Sequence, residues 1–237
     1  MLINYNPPLD PYLTILFQDD DLLIVNKPSE LLTVPGKDPK HADCLIARVN
    51  RVFPTAKIVH RLDMATSGII CLAMHKAAHR HLSMQFQERQ TAKRYIARVY
   101  GKLEPLTGSV NLPLICDWPN RPKQMVDHDK GKPSLTHYTV LEHELHATRV
   151  ELTPITGRSH QLRVHMLSLG HPILGDINYG DNKHNPFFEQ YFGFKRLMLF
   201  AQSLSFQHPI SNKPIVIDCP FDQQWQSVFD KLGWSNL

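Results

Sequence analysis

The sequence has few cysteines and no long apolar run, and each shortage excludes a class of protein. The four cysteines are Cys44, Cys71, Cys116 and Cys219, and no two of them form a Cys-x-x-Cys pair. They therefore indicate reduced thiols in a cytoplasmic protein rather than a zinc clip or a disulfide framework. No apolar stretch approaches the roughly 20 residues that a membrane helix needs. Residues 1–11 lack a basic start and an apolar run, so we expect no signal peptide.

Charge is also sparse, at 20% of the residues. The 26 basic and 22 acidic residues give a net charge of +4, which suits an anionic partner but is far from that of a histone-like tail. Hydrophobic residues make up 42% of the 237 residues, enough for a packed core in one large domain or in two lobes of one fold.

Apolar spacing switches between strand-like and helix-like along the chain, without a regular βαβ repeat. Helices are predicted at residues 45–53 and 77–90, after the turn at 156–159 up to Gly170, and after Asp222. Strands are predicted at residues 14–17, 22–27, 57–60, 69–74, 93–101, 110–115, 136–142, 148–153, 197–201, 203–207 and 215–218. Residues 181–195 have the character of an insertion of variable length. This order predicts an α+β fold around a mainly antiparallel sheet.

One loop between two apolar runs concentrates reactive groups. The run that ends at Ile58-Val59 is followed by His60-Arg61-Leu62-Asp63-Met64-Ala65-Thr66-Ser67, and a second apolar run starts at Gly68. An aspartate is ionised at neutral pH, so Asp63 could act as a nucleophile or a base without further activation. The alternative is a turn aspartate that bonds to its own loop.

Five motifs in order carry a family resemblance. His60-Arg61-Leu62-Asp63 followed by Thr66-Ser67-Gly68 resembles the catalytic loop of RluA-type pseudouridine synthases. The other matches are Val25-Asn26-Lys27-Pro28, residues 93–101, residues 154–165, and His171-Pro172-Ile173 with Gly175-Asp176 and Tyr179. The similarity runs from about residue 13 to about residue 220, and residues 113–124 resemble the short members of the family more than its longer relatives.

The resemblance implies a fold and a domain plan. The fold is the pseudouridine synthase fold, a bent, mixed, mainly antiparallel sheet in two halves with a central active-site cleft. Residues 1–237 would form a single catalytic domain, with a core at about 13–220. Asp63 lies too near the start of the chain for the N-terminal S4-like module of longer relatives, so RNA binding would come from the catalytic domain itself.

The resemblance also assigns roles to individual residues. Asp63 would be catalytic, either as nucleophile at C1′ or as the base that removes the 2′ proton. Arg61 would replace the flipped nucleotide in the stack, and Tyr95 would pack against the target base. Arg163 would bond to the Asp63 carboxylate. Without the resemblance, Tyr95 reads as a core aromatic and Arg163 as part of a solvated basic helix face.

Three further positions bear on the site, and two of them, Lys27 and Trp118, keep two interpretations. Leu199 would line the pocket, although Phe200 follows it where the family usually has a histidine. Lys27 is either a phosphate or loop contact near the site, or a solvated strand end. Trp118, in the polar segment 117–132, either stacks on RNA or packs under its loop.

The implied reaction is the isomerisation of a uridine within RNA, and it requires no cofactor. The target nucleotide must leave its stack, which is easiest in a single-stranded loop. We expect the substrates to be an anticodon stem-loop of transfer RNA and a hairpin loop of 23S ribosomal RNA, not DNA or membrane. We expect the protein to be a cytoplasmic monomer.

Two other functions compete with this one. A non-catalytic RNA-binding module would need no carboxylate at position 63. A metal-dependent nuclease would use His75, His79 and His81, of which the first two have the spacing of a metal pair. No third ligand is evident near them, and His160 and His165 are spaced by five, so we expect no metal site.

Overall fold

The computed structural model describes residues 5–144, 146–180, 184–193 and 195–232. The chain divides into two units, of which the first joins the residues up to Lys93 with Ser203–Cys219. The second unit joins Arg94–Gln202 with the residues from Pro220 onward. Within the described ranges, no helix combines the length and the apolar character needed to cross a bilayer.

The elements follow one another in an irregular order. The strands are β1 (Thr14–Gln18), β2 (Leu22–Lys27), β3 (Lys57–Ile58), β4 (Ser67–Ala73), β5 (Ala92–Tyr100), β6 (Thr107–Asn111), β7 (Leu114–Cys116), β8 (Gln124–Val126), β9 (Leu135–His143), β10 (Ala147–Pro154), β11 (Leu199–Gln207) and β12 (Pro214–Asp218). The helices are α1 (Leu45–Asn50), α2 (Lys76–Gln87), α3 (Gln161–Ser168), α4 (His184–Phe192) and α5 (Gln223–Leu232).

The first unit is built around β2 and β4, whose side chains are almost all buried. The two strands are antiparallel, with Leu22 opposite Ala73 and Lys27 opposite Gly68. β1 pairs with β2, and the short β3 pairs with β4. A strand buried on both faces explains why residues 69–74 read as a continuous apolar run rather than an alternating one.

Helix α2 is fixed to the end of β11 by a polar side chain. Gln85 is buried, its amide donates to the carbonyl of Gln207 (2.7 Å), and its carbonyl accepts from Gln207 N (2.8 Å). Ala78 and Leu82 lie on the same buried face of the helix.

The second unit contains four neighbouring antiparallel strands in the order β5-β10-β9-β6. Tyr95 of β5 lies opposite Leu152 of β10, which in turn lies opposite Tyr138 of β9. β7 and β8 form a separate hairpin. Beside these strands, Phe200 packs against Phe221 and the fully buried Trp225 of α5, with ring centroids 5.0 and 6.1 Å away.

The predicted α+β class is confirmed, but several boundaries were wrong. The strand expected at 110–115 is two strands, β6 and β7, and the strands expected at 197–201 and 203–207 are one, β11. The segment 117–132 is not a structureless loop because it contains β8. The predicted insertion at 181–195 contains α4, while 181–183 and 194 lie outside the described residues. Helix α1 stops at Asn50 rather than Phe53, and β3 stops at Ile58 rather than His60.

Candidate active site

The loop that carries Asp63 is held by side chains from the end of β2 and from the segment that follows it. Three of them each donate a hydrogen bond to a loop carbonyl, and Thr66 N donates to the Asp63 carbonyl (3.1 Å). The three bonds run from Lys27 Nζ to Met64 O (2.9 Å), from Ser29 Oγ to Ala65 O (2.7 Å) and from Thr33 Oγ1 to Leu62 O (2.7 Å). Because the carbonyls of residues 62–65 are all bonded, the backbone that presents Asp63 has little freedom.

Lys27 is a fully buried cation at the centre of this arrangement. Its ammonium donates to Met64 O and also to the carbonyls of Pro28 (2.9 Å) and Leu31 (2.7 Å). Three carbonyls match the three donors of an ammonium group, which is what makes its withdrawal from water tolerable. The interpretation of Lys27 as a loop contact is therefore confirmed, and the solvated strand end was wrong.

His60 lies two residues after the end of β3, at the start of the loop that carries Asp63. Its Nε2 accepts a hydrogen bond from Cys71 N (3.0 Å), so an imidazole replaces the backbone carbonyl that a longer β3 would offer to β4. The ring stacks on Phe86 with centroids 4.4 Å apart. Burial of the ring, with the nearby charge of Lys93, lowers the pKa of His60 to about 3. His60 therefore stays neutral and remains an acceptor at physiological pH.

The side chains of Arg61 and Asp63 differ in exposure. Arg61 is exposed to solvent, whereas Asp63 is partly buried and its neighbour Leu62 is buried. Both residues belong to the first unit. The loop thus offers an exposed cation two residues away from a carboxylate on a hydrogen-bonded backbone.

Arg163 of α3 is buried, so the solvated helix face was wrong. Its Nε and Nη2 donate to the two carboxylate oxygens of Asp176, each at 2.7 Å, and Asp176 is buried as well. Asp176 thus occupies one edge of the guanidinium, and the ring of Tyr179, whose centroid is 5.1 Å from Cζ, lies against one of its faces. A bidentate carboxylate and a stacked ring together fix both the plane and the position of the guanidinium.

Tyr179 links Arg163 to two other segments of the second unit. Its hydroxyl accepts from Gln124 N at the start of β8 (2.6 Å) and lies 2.7 Å from His160 Nδ1. His160 stands at the start of α3 with a left-handed φ of 53°, a conformation that L-residues seldom adopt. The sequence motifs contain Asp176, Tyr179 and His160, but nothing in their spacing predicted that Asp176 and Tyr179 contact Arg163 or that His160 contacts Tyr179.

The remaining predicted site residues also lie in the second unit. Tyr95 is partly buried on β5, and Leu199 is buried at the start of β11. Phe200, which departs from the family pattern, is a core aromatic against Phe221 and Trp225. Its ring therefore supports packing rather than polar chemistry.

The histidines considered as metal ligands are each committed to a different partner. His75 caps α2 by accepting from Ala78 N through Nδ1 (3.3 Å), and its Nε2 lies 2.7 Å from Asp21 Oδ1. His79 Nε2 lies 3.1 Å from the carbonyl of Ile58. These ring nitrogens contact protein groups that lie in different segments, so His75 and His79 are not arranged to bind one metal ion together.

A separate group of Asp19, Asp21 and His208 places its ligating atoms within 4.8 Å of one another. However, His208 Nδ1 accepts from the backbone N–H groups of Ile210 (3.2 Å) and Ser211 (3.1 Å). A neutral imidazole that accepts at Nδ1 must carry its proton on Nε2, which then donates to Asp19 at 3.0 Å. The group is thus a hydrogen-bonded link between two strand connections rather than a prepared cation site.

Comparisons with known proteins match most of the chain. A family model described as RNA pseudouridylate synthase matches residues 21–168, which include Arg61, Asp63, Tyr95 and Arg163. The dual-specificity RNA pseudouridine synthase RluA of Escherichia coli (strain K12) is 52% identical over 220 residues, which are 92% of this chain and 98% of that protein. RluA of Pasteurella multocida is 50% identical over the same shares of both chains.

Two solved structures are similar over nearly the whole length. Human RNA pseudouridylate synthase domain containing 1 aligns with a TM-score of 0.74 at 30% identity, covering 91% of this chain and 86% of that one. Human RNA pseudouridylate synthase domain containing 4 aligns with a TM-score of 0.76 at 25% identity, covering 93% of both chains.

Proposed function

The chain belongs to the RNA pseudouridylate synthase family, and we propose that Asp63 is the residue with which it isomerises uridine in RNA to pseudouridine. The hydrogen bonding of the carbonyls of residues 62–65 is the observation that best supports this assignment. A reacting carboxylate must be held to within about half an ångström of its working position, and a loop with these carbonyls committed can do so.

The reaction requires a bond exchange at one sugar carbon. The bond from uracil N1 to C1′ breaks, the uracil turns, and a bond forms from C5 to C1′. The proton on C5 is lost and N1 gains a proton, so the atoms balance without an oxidant or a reductant. Asp63 acts in the first step, as nucleophile at C1′ or as base towards the 2′ proton, and the proposed mechanism uses no cofactor.

Arg163 is proposed to orient the Asp63 carboxylate. Its guanidinium is fixed by Asp176 and Tyr179, so its N–H groups point in constant directions. A charge-assisted bond from such a group holds a carboxylate in one rotamer. Asp176 and Tyr179 are then positioning residues that act through Arg163.

The other three residues are proposed to handle the flipped nucleotide. Arg61 is exposed and two residues from Asp63, and it fills the gap that the nucleotide leaves in the stack. Tyr95 packs on the target base, and Leu199 lines the pocket around it. An apolar lining keeps water away from the detached uracil, since hydrolysis would otherwise compete with rejoining.

The substrates are proposed to be loops of two RNA classes. The E. coli relative is a dual-specificity RNA pseudouridine synthase, and we propose a hairpin loop of 23S ribosomal RNA and an anticodon stem-loop of transfer RNA for this chain. DNA is not a substrate in this proposal. The two units act together as one catalytic domain, and the protein works as a monomer in the cytoplasm.

The decisive variant is Asp63→Asn, which keeps the shape of the side chain and every backbone bond of the loop. We expect at least about a thousandfold loss of tritium release from RNA labelled at uridine C5, with RNA affinity retained. Asp10→Asn, at an exposed position, is the matched control and should be fully active. Pseudouridine mapping in cells with and without the gene would then identify the modified positions.

The same assay separates the competing functions. A non-catalytic RNA-binding module would release no tritium from either protein and would bind RNA equally well with Asn at position 63. A metal-dependent nuclease would cut the RNA, and a chelator would stop it. Three results together exclude the binding module and the nuclease. The RNA stays intact, wild type releases tritium in the presence of a chelator, and D63N releases none.

A further inference from the structure

We propose that the hairpin tip, defined as residues 117–123 between β7 and β8, is an RNA-docking surface on which Trp118 stacks against an unpaired base outside the catalytic pocket. This inference rests on the proposed function, because it assumes that the substrate is an RNA loop. The reaction itself assigns no role to this surface.

The exposure of Trp118 is the first observation. Its side chain is 65% exposed, whereas Trp225 is fully buried in the aromatic cluster of the second unit. Packing of Trp118 under its own loop was therefore the wrong alternative. A large aromatic side chain that stands in water offers a binding area that the fold itself does not use.

The partner of Trp118 on the hairpin tip is a cation. The guanidinium of Arg121 lies over the indole ring, with Cζ 4.6 Å from its centroid. Since Arg121 covers one face and the side chain is still 65% exposed, the opposite face of the ring is open. An open π-face backed by a guanidinium suits a nucleobase with its phosphate, because the base stacks while the cation pairs with the backbone charge.

The same pair argues against an apolar partner. Inserting Trp118 into a bilayer or a hydrophobic protein groove would draw Arg121 out of water without a counter-charge, which is unfavourable. A nucleic acid supplies that counter-charge. The segment 117–132 as a whole has a net charge of +1, because its four cations, among them the exposed Lys130 and Lys132, outnumber its three carboxylates.

The hairpin tip is pre-organised by its own hydrogen bonds. Asp117 N donates to Lys123 O (3.0 Å), Lys123 N donates to Asn120 O (3.1 Å), and Asn120 N donates to Asp117 O (3.1 Å). The Asn120 amide also donates to the carboxylate of Asp117 at 2.9 Å. A surface that is ordered before it binds loses little conformational entropy on binding, so its contacts contribute more fully to affinity.

The hairpin tip is also joined to the residues around Arg163. Gln124, directly after the tip, donates its backbone N–H to Tyr179, whose ring covers the Arg163 guanidinium. RNA that docks on the hairpin tip therefore binds next to a residue that is hydrogen-bonded to Tyr179, and Tyr179 positions Arg163 in the proposed active site.

The test measures the affinity of the full chain for RNA with Trp118→Ala and with Trp118→Phe. We expect the dissociation constant for a hairpin RNA to rise about tenfold in W118A, the loss typical of one stacked base, and KM to rise with it. W118F should recover most of the affinity because it keeps an aromatic face. Phe187→Ala, which removes another exposed aromatic of the same unit (53% exposed), should match wild type.

Two further measurements separate stacking from general electrostatics. A blunt RNA duplex of equal length has no unpaired base, so W118A should bind it as wild type does. Quenching of tryptophan fluorescence by the hairpin RNA should be strong in wild type and largely lost in W118F. An equal affinity of W118A and wild type for the hairpin RNA would overturn the proposal and would point to another class of partner for Trp118.

The outcome is distinguishable from failure of the proposed function. If wild type releases no tritium but W118A binds the hairpin about tenfold more weakly, the docking surface stands and the assigned reaction is wrong. If wild type is active and W118A has an unchanged KM, the docking surface is wrong and the assigned reaction stands.

Discussion

Two buried cations show how single residues stabilise the candidate site. Lys27 is surrounded by carbonyls, each with a partial negative charge, and Arg163 is paired with a buried carboxylate. An ammonium suits separate carbonyl oxygens because its three donors diverge, whereas a guanidinium suits a carboxylate because its donors are parallel. The residue type at each position therefore follows from the shape of what it binds.

Replacing Lys27 with methionine should destabilise the protein and slow the reaction. The change leaves the carbonyls of Pro28, Leu31 and Met64 without this buried donor, which should lower the free energy of unfolding by about 2–4 kcal/mol. It also frees the backbone directly after Asp63. Urea unfolding and tritium release measure the two effects, and Lys57→Met, at an exposed position of β3, is the control. Equal unfolding free energies for K27M and K57M would contradict this account.

At the scale of elements, the bond between Arg163 and Asp176 joins α3 to the segment that follows it, and together they orient the guanidinium. Asp176→Asn keeps the shape of the side chain but removes its charge, so the guanidinium is held less firmly. We expect kcat to fall about tenfold or more, because a small misplacement of a positioning group is costly. We expect the affinity for RNA to stay within about twofold.

Asp222→Asn is the matched control for that prediction. Asp222 pairs with another buried arginine of the same unit, Arg196, at 2.7 Å. Asp222→Asn therefore also removes the charge that faces a buried guanidinium, although the Asp222 side chain is itself 33% exposed. If D176N and D222N lower stability alike but only D176N lowers kcat, orientation of Arg163 is the cause. Equal kcat values for the two variants would show that the Asp176 bond is merely structural.

The elements also show what sequence can and cannot predict here. The strand β4 and the loop before it were predictable because β-branched runs, the motif around Asp63 and Gly68 mark them locally, and Gly68 has a φ of 113° that favours glycine. The end of β3 was not predictable from the sequence. It depends on a hydrogen bond between the His60 imidazole and Cys71 N, eleven residues further along the chain.

The surroundings of Arg163 escaped prediction for a similar reason. Asp176 is thirteen residues away and Tyr179 reaches both β8 and α3. Helical spacing states which residues share a face, but it does not state which distant carboxylate will meet that face. Polar partners at long range are therefore the part of the site that the structure adds.

At the scale of the whole molecule, acid should unfold the protein partly through histidines that are neutral in the fold. Burial lowers the pKa of His60 to about 3 and also lowers the pKa of His165, whose nitrogens contact Thr136 and the carbonyl of Leu112. In the unfolded chain a histidine has a pKa of about 6.5. Below that pH the unfolded state binds protons that the folded state does not, so stability falls as the pH falls.

The His60 contribution is isolated by comparing wild type with His60→Gln, whose amide oxygen can still accept from Cys71 N. Above pH 7 both states of His60 are neutral and the difference between the two proteins is constant. Between pH 7 and pH 5 wild type should lose about 2 kcal/mol more unfolding free energy than H60Q, measured from urea unfolding at each pH. Parallel curves would mean that the folded protein takes up a proton at His60, which would contradict a buried acceptor that anchors the Asp63 loop to β4.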